Sequence, residues 1–331
     1  MKKKELVMKV MDGGVGDRTP VGFWWHFIPT AMGHVKGYQN PEETINMVVN
    51  GTKAMLSKYD PDMIKVMSDG FFLHPSIVEN DVHTPEGLDK IHHITKDHPW
   101  VQGQIELLNK VYDLTDGQTL MLYTMFSAVQ QLRLYVEYAL GDLDAYKNLM
   151  INHTEKTLRA LKIVEDDTIM LLTELRKHTK LDGLFYSVQM LQHKEADLEF
   201  HQKWIVPSDL RILDHMNELW DYNMLHICGY ERYHNNVEFY KQYKCKCYNW
   251  ATHTDKISLK DGRSMFNASV CGGFDNNEGT LIDTGSLEEL EAYTKQLIKE
   301  NGREGLIIGA DCTIPAPKDL HRLEVIKNAA R

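Results

Sequence analysis

Short β-like runs separated by longer helical stretches recur along the whole chain, and this alternation limits the fold more than any other feature. About eight such runs can be counted: Pro20 to Phe27, Asp62 to Met67, Thr119 to Phe126, Gly183 to Val188, Met224 to Ile227, Cys245 to Trp250, Ser264 to Val270 and Gly305 to Ile308. Strands that alternate with helices favour a parallel sheet, because each parallel neighbour needs a crossover long enough to hold a helix. Eight units within 331 residues point to α/β class and to a single (β/α)8 TIM barrel spanning 1–331. No linker, low-complexity segment or internal repeat divides the chain.

The intervening stretches carry helix signals. Asn40-Pro41-Glu42-Glu43 offers a cap, a proline at the first helical position and a capping-box glutamate. Ile45, Val48, Val49, Met55 and Leu56 then form one apolar face. The region from about Ala128 to Thr179 reads as helical throughout, and Pro207 to Leu219 as an amphipathic helix. Ser286-Leu-Glu-Glu289 is a second capping box, with Gly302 as its C-terminal stop and a last helix from about Asp319. The loop Asp12-Gly-Gly-Val-Gly-Asp17 lacks the preceding strand that a phosphate cradle requires.

Composition narrows the function classes. A formal net charge of −10 argues against nucleic acid, whose phosphates call for clustered Lys and Arg. No apolar run is long enough for a membrane span. The Lys-rich start is followed by no apolar signal segment, so a cytoplasmic location is expected. Five cysteines, Cys228, Cys245, Cys247, Cys271 and Cys312, form an odd set in the last third of the chain, which suits reduced thiols or metal ligands better than a disulfide framework.

His226 and Cys228 are the strongest chemical signal. Residues two apart at the end of a strand project to the same side, and imidazole nitrogen with thiolate sulfur is a donor set for zinc. In a barrel the active site lies at the C-terminal ends of the strands. That places Cys312, just past the last strand, within reach as a third ligand, and Asp69, just past the second strand, at the same mouth. A carboxylate after an apolar strand is costly unless it is paired or faces a site, so Asp69 is a substrate-facing candidate. Trp24 and His26 crowd the exit of the first strand, either as an aromatic wall for a ligand or as core packing. Tyr186 and Gln189 fall at the exit of the fourth strand, and Asn249 and His253 close the sixth as candidates for substrate contact or a fourth ligand. Cys245 and Cys247 are expected to pack outward, and Cys271 to pack near the mouth. His92, His93 and His98 are expected to face solvent.

Leu225-His-Ile-Cys-Gly229, Val270-Cys-Gly-Gly-Phe-Asp275 and Leu306-Ile-Ile-Gly-Ala-Asp-Cys-Thr-Ile-Pro315 together resemble the uroporphyrinogen decarboxylase superfamily. Lys65-Val-Met-Ser-Asp-Gly70 and Gly183-Leu-Phe-Tyr-Ser-Val-Gln189 extend the match through nearly the whole chain. The resemblance implies a (β/α)8 barrel. Asp69 and Tyr186 match positions of the metal-free decarboxylases. Their arginine-bearing stretch after the first strand is replaced here by Phe23-Trp-Trp-His-Phe27, and their last-loop histidine by Asp311-Cys312. A polycarboxylate substrate would then lack its cations. The His-x-Cys then distant Cys motif of the corrinoid-linked methyltransferases maps onto His226, Cys228 and Cys312. Tyr248-Asn-Trp-Ala-Thr-His-Thr-Asp255 departs from that branch.

The leading expectation is therefore a zinc-dependent methyl or alkyl transferase acting on a small-molecule methyl donor or acceptor. The corrinoid (cobalamin) would be carried by a partner protein, because no cobalamin-binding segment is evident in this chain. Asp69 or His253 would carry the proton. The pairing of decarboxylase relatives through their barrel mouths implies a homodimer. A metal-free decarboxylase of another carboxylate is the alternative; it needs a cation at the mouth, and the sequence locates none. A third reading is a binding protein with a closed four-ligand metal site.

Overall fold

A computed structural model describes residues 1–229 and 233–331. Seven strands form one sheet in sequence order: β1 (Met63–Val66), β2 (Leu120–Phe126), β3 (Gly183–Val188), β4 (Met224–Ile227), β5 (Cys247–Trp250), β6 (Ser269–Phe274) and β7 (Leu306–Ala310). Every neighbouring pair is parallel. The chain is thus α/β with a TIM-barrel-like sheet. Among the described residues no helix is long and apolar enough to cross a membrane.

The eighth strand expected over Pro20 to Phe27 does not form. Val21 alone makes a parallel bridge, to Ile308 of β7, and its carbonyl accepts from the Asp62 amide at the start of β1. Gly22 N–H donates to Ile308 O at 2.9 Å within that bridge, but other amides of the stretch go to side chains instead of a ladder. Val21 N–H donates to the Asp62 carboxylate, and Phe27 and Ile28 N–H donate to Asp69 Oδ2. Two buried carboxylates therefore end the strand by taking its donors.

Three other boundaries shift. The run Ser264 to Val270 is split, because Leu259–Phe266 is a helix and the strand begins at Ser269. Asn267 between them has a left-handed backbone (φ 50°), which stops the helix. The sixth run starts at Cys247, leaving Cys245 outside it. The long helical region breaks at Gly141 (φ 75°) and contains π-helical turns at Leu134–Ala139 and Asn148–Asn152 before Thr154–His178. Asn40 precedes the helix Pro41–Lys58 but makes no side-chain cap; its amide turns to Glu43. The Ser286 capping box is formed on both sides.

Side-chain parity builds two cores. Ile64, Val66, Tyr123, Leu184, Tyr186, Leu225, Ile227, Tyr248, Trp250 and Ile308 face the surrounding helices. Met63, Leu120, Leu122, Phe185, Met224, Cys247, Cys271 and Ile307 face inward. An N-terminal helix, α1 (Lys3–Met11), joins this inner cluster through Leu6, Val7, Val10 and Met11. Each of those side chains contributes about 1.5–3 kcal/mol by leaving water. Ser269 at the start of β6 donates to Val10 O at 2.6 Å, so α1 seals the end where the strands begin. Cys247 shares parity with Asn249 and packs inward, correcting the outward placement expected for it. Cys271 is buried in the same cluster.

Candidate functional site

The opposite end of the sheet carries a cavity of about 160 Å³. Parity again selects its walls. Lys65, Thr124, Phe126, Phe185, Ser187, His226 and Cys228 are the inward residues toward the C-terminal ends of β1 to β4, and all line it. Cys312, two residues past β7, joins them. His26, Phe72, Gln130, Arg133, Leu134 and Tyr138 complete much of the rim.

His226, Cys228 and Cys312 lie together at one wall, their ligand atoms all within 4.8 Å of one another. Cys312 Sγ is 3.4 Å from His226 Nε2. The outer nitrogen of His226 is fixed by the neighbouring strand: β4 pairs His226 with Asn249 of β5, and Nδ1 meets Asn249 Oδ1 at 2.5 Å. Asn249 Nδ2 donates to Cys271 O and Ala310 O, at 2.9 and 3.0 Å. With its amide nitrogen so committed, Asn249 presents oxygen to the ring, and His226 Nδ1 must carry the proton. The Nε2 lone pair then faces the two sulfurs. One imidazole nitrogen and two sulfurs, with an outer hydrogen bond setting the tautomer, fit the donor set of a zinc ion.

The two sulfurs share charge unequally. Cys228 donates toward Cys312, which raises the Cys228 thiol well above its ordinary value, and burial adds to the rise. That same hydrogen bond lowers Cys312 well below the ordinary thiol value, against burial, with the charge of Lys65 helping. Gln189 Nε2 donates to Cys228 O at 3.0 Å and Asn235 Nδ2 to the same carbonyl at 2.9 Å, holding the backbone at the exit of β4. Gln189 and Asn249 thus brace the cluster from outside; neither lines the cavity, in contrast to the substrate contacts expected of them.

Two cations that sequence reasoning left unplaced stand in the cavity. Lys65 is only 8% exposed, and its Nζ lies 4.4 Å from the Phe185 ring centroid and 5.2 Å from that of Trp24. Burial lowers its pKa to about 8, with Cys312 and Asp69 opposing that shift. Arg133, also buried, donates from Nε to Gln130 Oε1 at 2.6 Å and pairs with Glu137 at 3.4 Å. Lys65 is marked in the sequence as the only charge in an otherwise apolar run, Asp62 aside. Arg133 sits in the helix after β2, where nothing in the spacing marks it.

Other predicted residues lie elsewhere. Trp24 belongs to the inner core below the cavity, packed on Phe185 at 5.1 Å, and forms no part of its wall. Tyr186 has the outward parity of β3; it is fully buried and donates to Asp209 O at 3.2 Å. His253 lines a separate surface cleft and is held by Asp311, Nδ1 to Oδ2 at 2.9 Å, so it reaches neither the cavity nor the sulfurs. His26 does line the cavity. Asp69 stands behind it, fully buried, with Oδ1 at 2.8 Å from His26 Nδ1 and Oδ2 on two backbone amides. His93 is exposed at the surface yet bonds Asp167, and His98 caps the helix Pro99–Thr115.

No family model and no curated protein sequence matches this chain. Solved structures do. A methyltransferase from Methanosarcina mazei superposes with a TM-score of 0.72 at 12% identity, covering 100% of this chain and 98% of that one. A B12-independent methionine synthase from Shewanella sp. W3-18-1, in complex with selenomethionine, gives 0.60 at 10% identity, covering 95% and 97%. The chain shares their fold. At this identity the likeness speaks for the fold alone, and it meets the superfamily resemblance carried by the sequence motifs.

Proposed function

We propose that this protein is a zinc-dependent methyl or alkyl transferase. His226, Cys228 and Cys312 would hold the metal, and a corrinoid protein would dock at the cavity mouth to exchange the methyl group with a small molecule inside. The observation that carries the reading is the His226–Cys228–Cys312 cluster, with Asn249 fixing the tautomer that frees Nε2. The near full-length likeness in fold to two methyl-transferring proteins supports it.

Bound zinc would supply a Lewis acid that lowers the pKa of a substrate thiol or polarises a methylated heteroatom. The chain's own residues do the rest. Cys312 is biased toward thiolate by Cys228 and Lys65, and Cys228 would release its proton as the metal binds. Phe72, Phe126, Leu134 and Phe185 keep the cavity apolar and limit water around the reacting group. Lys65 presents positive charge that would orient an anionic portion of the substrate.

Lys65 also favours the second reading, a metal-free decarboxylase, because it supplies the cation that the sequence left unlocated. Elemental analysis of the purified protein separates the two. About one zinc per chain, lost in Cys312→Ser together with methyl transfer to cob(I)alamin, is the expected result. A zinc-free protein that decarboxylates a carboxylate substrate after exhaustive chelation would replace the transferase with the decarboxylase. Unchanged zinc in Cys312→Ser would remove Cys312 from the ligand set.

A further inference from the structure

His26, His34 and Asp69 bring their ligand atoms within 4.8 Å of one another, as a second metal site would. Their hydrogen bonds point to other chemistry. Asp69 Oδ2 is taken by the amides of Phe27 at 2.7 Å and Ile28 at 3.3 Å, and Oδ1 by His26 Nδ1. His34 Nε2 lies 2.7 Å from Ile28 O, an acceptor only, so that nitrogen carries a proton; Nδ1 then accepts from Tyr138 Oη at 3.1 Å. Both nitrogens of His34 and both oxygens of Asp69 are committed.

One lone pair remains. The Asp69 carboxylate is held below its ordinary pKa: burial raises it, but the hydrogen bonds from His26 and from the Phe27 amide outweigh that. An ionised carboxylate only accepts, so His26 Nδ1 donates and Nε2 is the unprotonated nitrogen. His26 is the least buried of the three, with 32% of its side chain exposed. It lines the same cavity as Cys228 and Cys312. Among the described residues nothing bonds its Nε2. The ring is clamped besides, stacked on His34 at 4.2 Å and tilted against Phe72 at 5.7 Å.

From this geometry we infer that His26 is the general base of the site and Asp69 its positioning residue. The inference rests on the transferase reading for its substrate, a small molecule bearing a thiol or hydroxyl. The heteroatom–hydrogen bond breaks, the electron pair stays on the heteroatom, and the proton goes to His26 Nε2. The imidazolium is then paired with Asp69. The heteroatom forms its new bond to the methyl group as the bond to the methyl donor breaks, that pair leaving with the donor. In the reverse direction the imidazolium returns the proton to the departing heteroatom. The other cavity groups suit this task poorly. Arg133 is a donor, Lys65 Nζ sits over the Phe185 and Trp24 rings, Thr124 Oγ1 donates to Val66 O, and Gln130 Oε1 is taken by Arg133. His34 and Tyr138 are spent on each other.

The arrangement makes a structural prediction that needs neither metal nor substrate. In Asp69→Asn the two backbone amides hold the amide oxygen, so the new NH2 group faces His26 Nδ1. The ring must then accept there and carry its proton on Nε2, presenting a donor to the cavity. Nitrogen-15 NMR of histidine-labelled protein, at a pH where the imidazole is neutral and with His26→Gln to assign the signal, reads the tautomer directly. Nδ1–H in the wild type and Nε2–H in Asp69→Asn is the expected result. A wild-type ring protonated on Nε2, or a tautomer that Asp69→Asn leaves unchanged, overturns the assignment. In methyl-transfer assays of zinc-loaded protein, His26→Gln should lose ~10²- to 10⁴-fold in kcat while zinc content stays at the wild-type level. A full rate in His26→Gln likewise overturns the proposal. If no transfer is found for the wild type, the function reading fails, and the tautomer exchange still decides whether the dyad exists.

Discussion

His226 Nδ1 and Asn249 Oδ1 meet at 2.5 Å because parallel pairing places the two residues side by side on the inner face of β4 and β5. The contact is a product of register. A one-residue slip of either strand would turn one of the two toward the helices and leave the imidazole free to rotate. Replacing Asn249 with leucine should therefore weaken zinc binding by ~10- to 100-fold through loss of the outer hydrogen bond. Stability should fall as well, since Cys271 O and Ala310 O lose their donor. Competition with a chromophoric chelator measures the first effect. Wild-type affinity in the variant would show that the tautomer is held by something else.

Lys65 acts on the sulfurs through charge. It is one of the groups that lower the Cys312 thiol, after the Cys228 hydrogen bond. Lys65→Met keeps the volume and removes the charge, so less Cys312 thiolate should be present in metal-free protein. Alkylation of Cys312 by iodoacetamide at pH 7, followed by mass spectrometry, should be several-fold slower. An equal rate would exclude Lys65 from the electrostatics of the cluster.

Asp209 should give the fold a definite pH dependence. It is buried beneath Tyr243, whose hydroxyl donates to Oδ2 at 2.9 Å, and burial raises its pKa from 3.8 to about 7. Between those values the folded state holds a proton that the unfolded state has released, so this residue makes stability fall as pH rises from about 4 to about 7. Asp209→Asn removes the liability. Urea midpoints at pH 5, 6 and 7 should show the variant gaining on the wild type at each step. A constant difference would contradict a raised folded-state value.

Gly183 begins β3 against an adjacent backbone. A Cβ there would lie 2.1 Å from Tyr222 O and 3.1 Å from Leu122 Cδ2. A carbonyl at that point cannot swing away without disturbing β4. Gly183→Ala should cost ~1–3 kcal/mol, seen as a lower melting temperature, with zinc content retained in the protein that folds. An unchanged melt would show that the β3–β4 edge yields more readily than its packing suggests.

Much of this architecture is legible in the residues themselves. Six of the runs correspond to strands and a seventh meets one only at Ser269 and Val270, and His226, Cys228 and Cys312 come together although Cys312 lies more than 80 residues beyond the other two. What the sequence hides has two physical sources. Parity within a strand decides who faces the cavity, so Tyr186 is directed outward while its neighbours Phe185 and Ser187 line the wall. That much can be counted from Gly183. The diversion of backbone amides to Asp62 and Asp69 cannot, because it depends on carboxylates about 40 residues away taking donors that a ladder would otherwise use. Lys65 belongs with the countable cases: two residues on from the inward-facing Met63, it is a charge in an apolar run that alternation alone assigns to the inner face.

The α1 helix has a consequence for traffic. Leu6, Val7, Val10 and Met11 close the floor of the sheet with dry side chains, and Ser269 ties them there. The cavity that holds His226, Cys228 and Cys312 lies at the other end of the sheet, so under the proposed function both the small molecule and its methyl carrier would have to approach from the side where the strands finish.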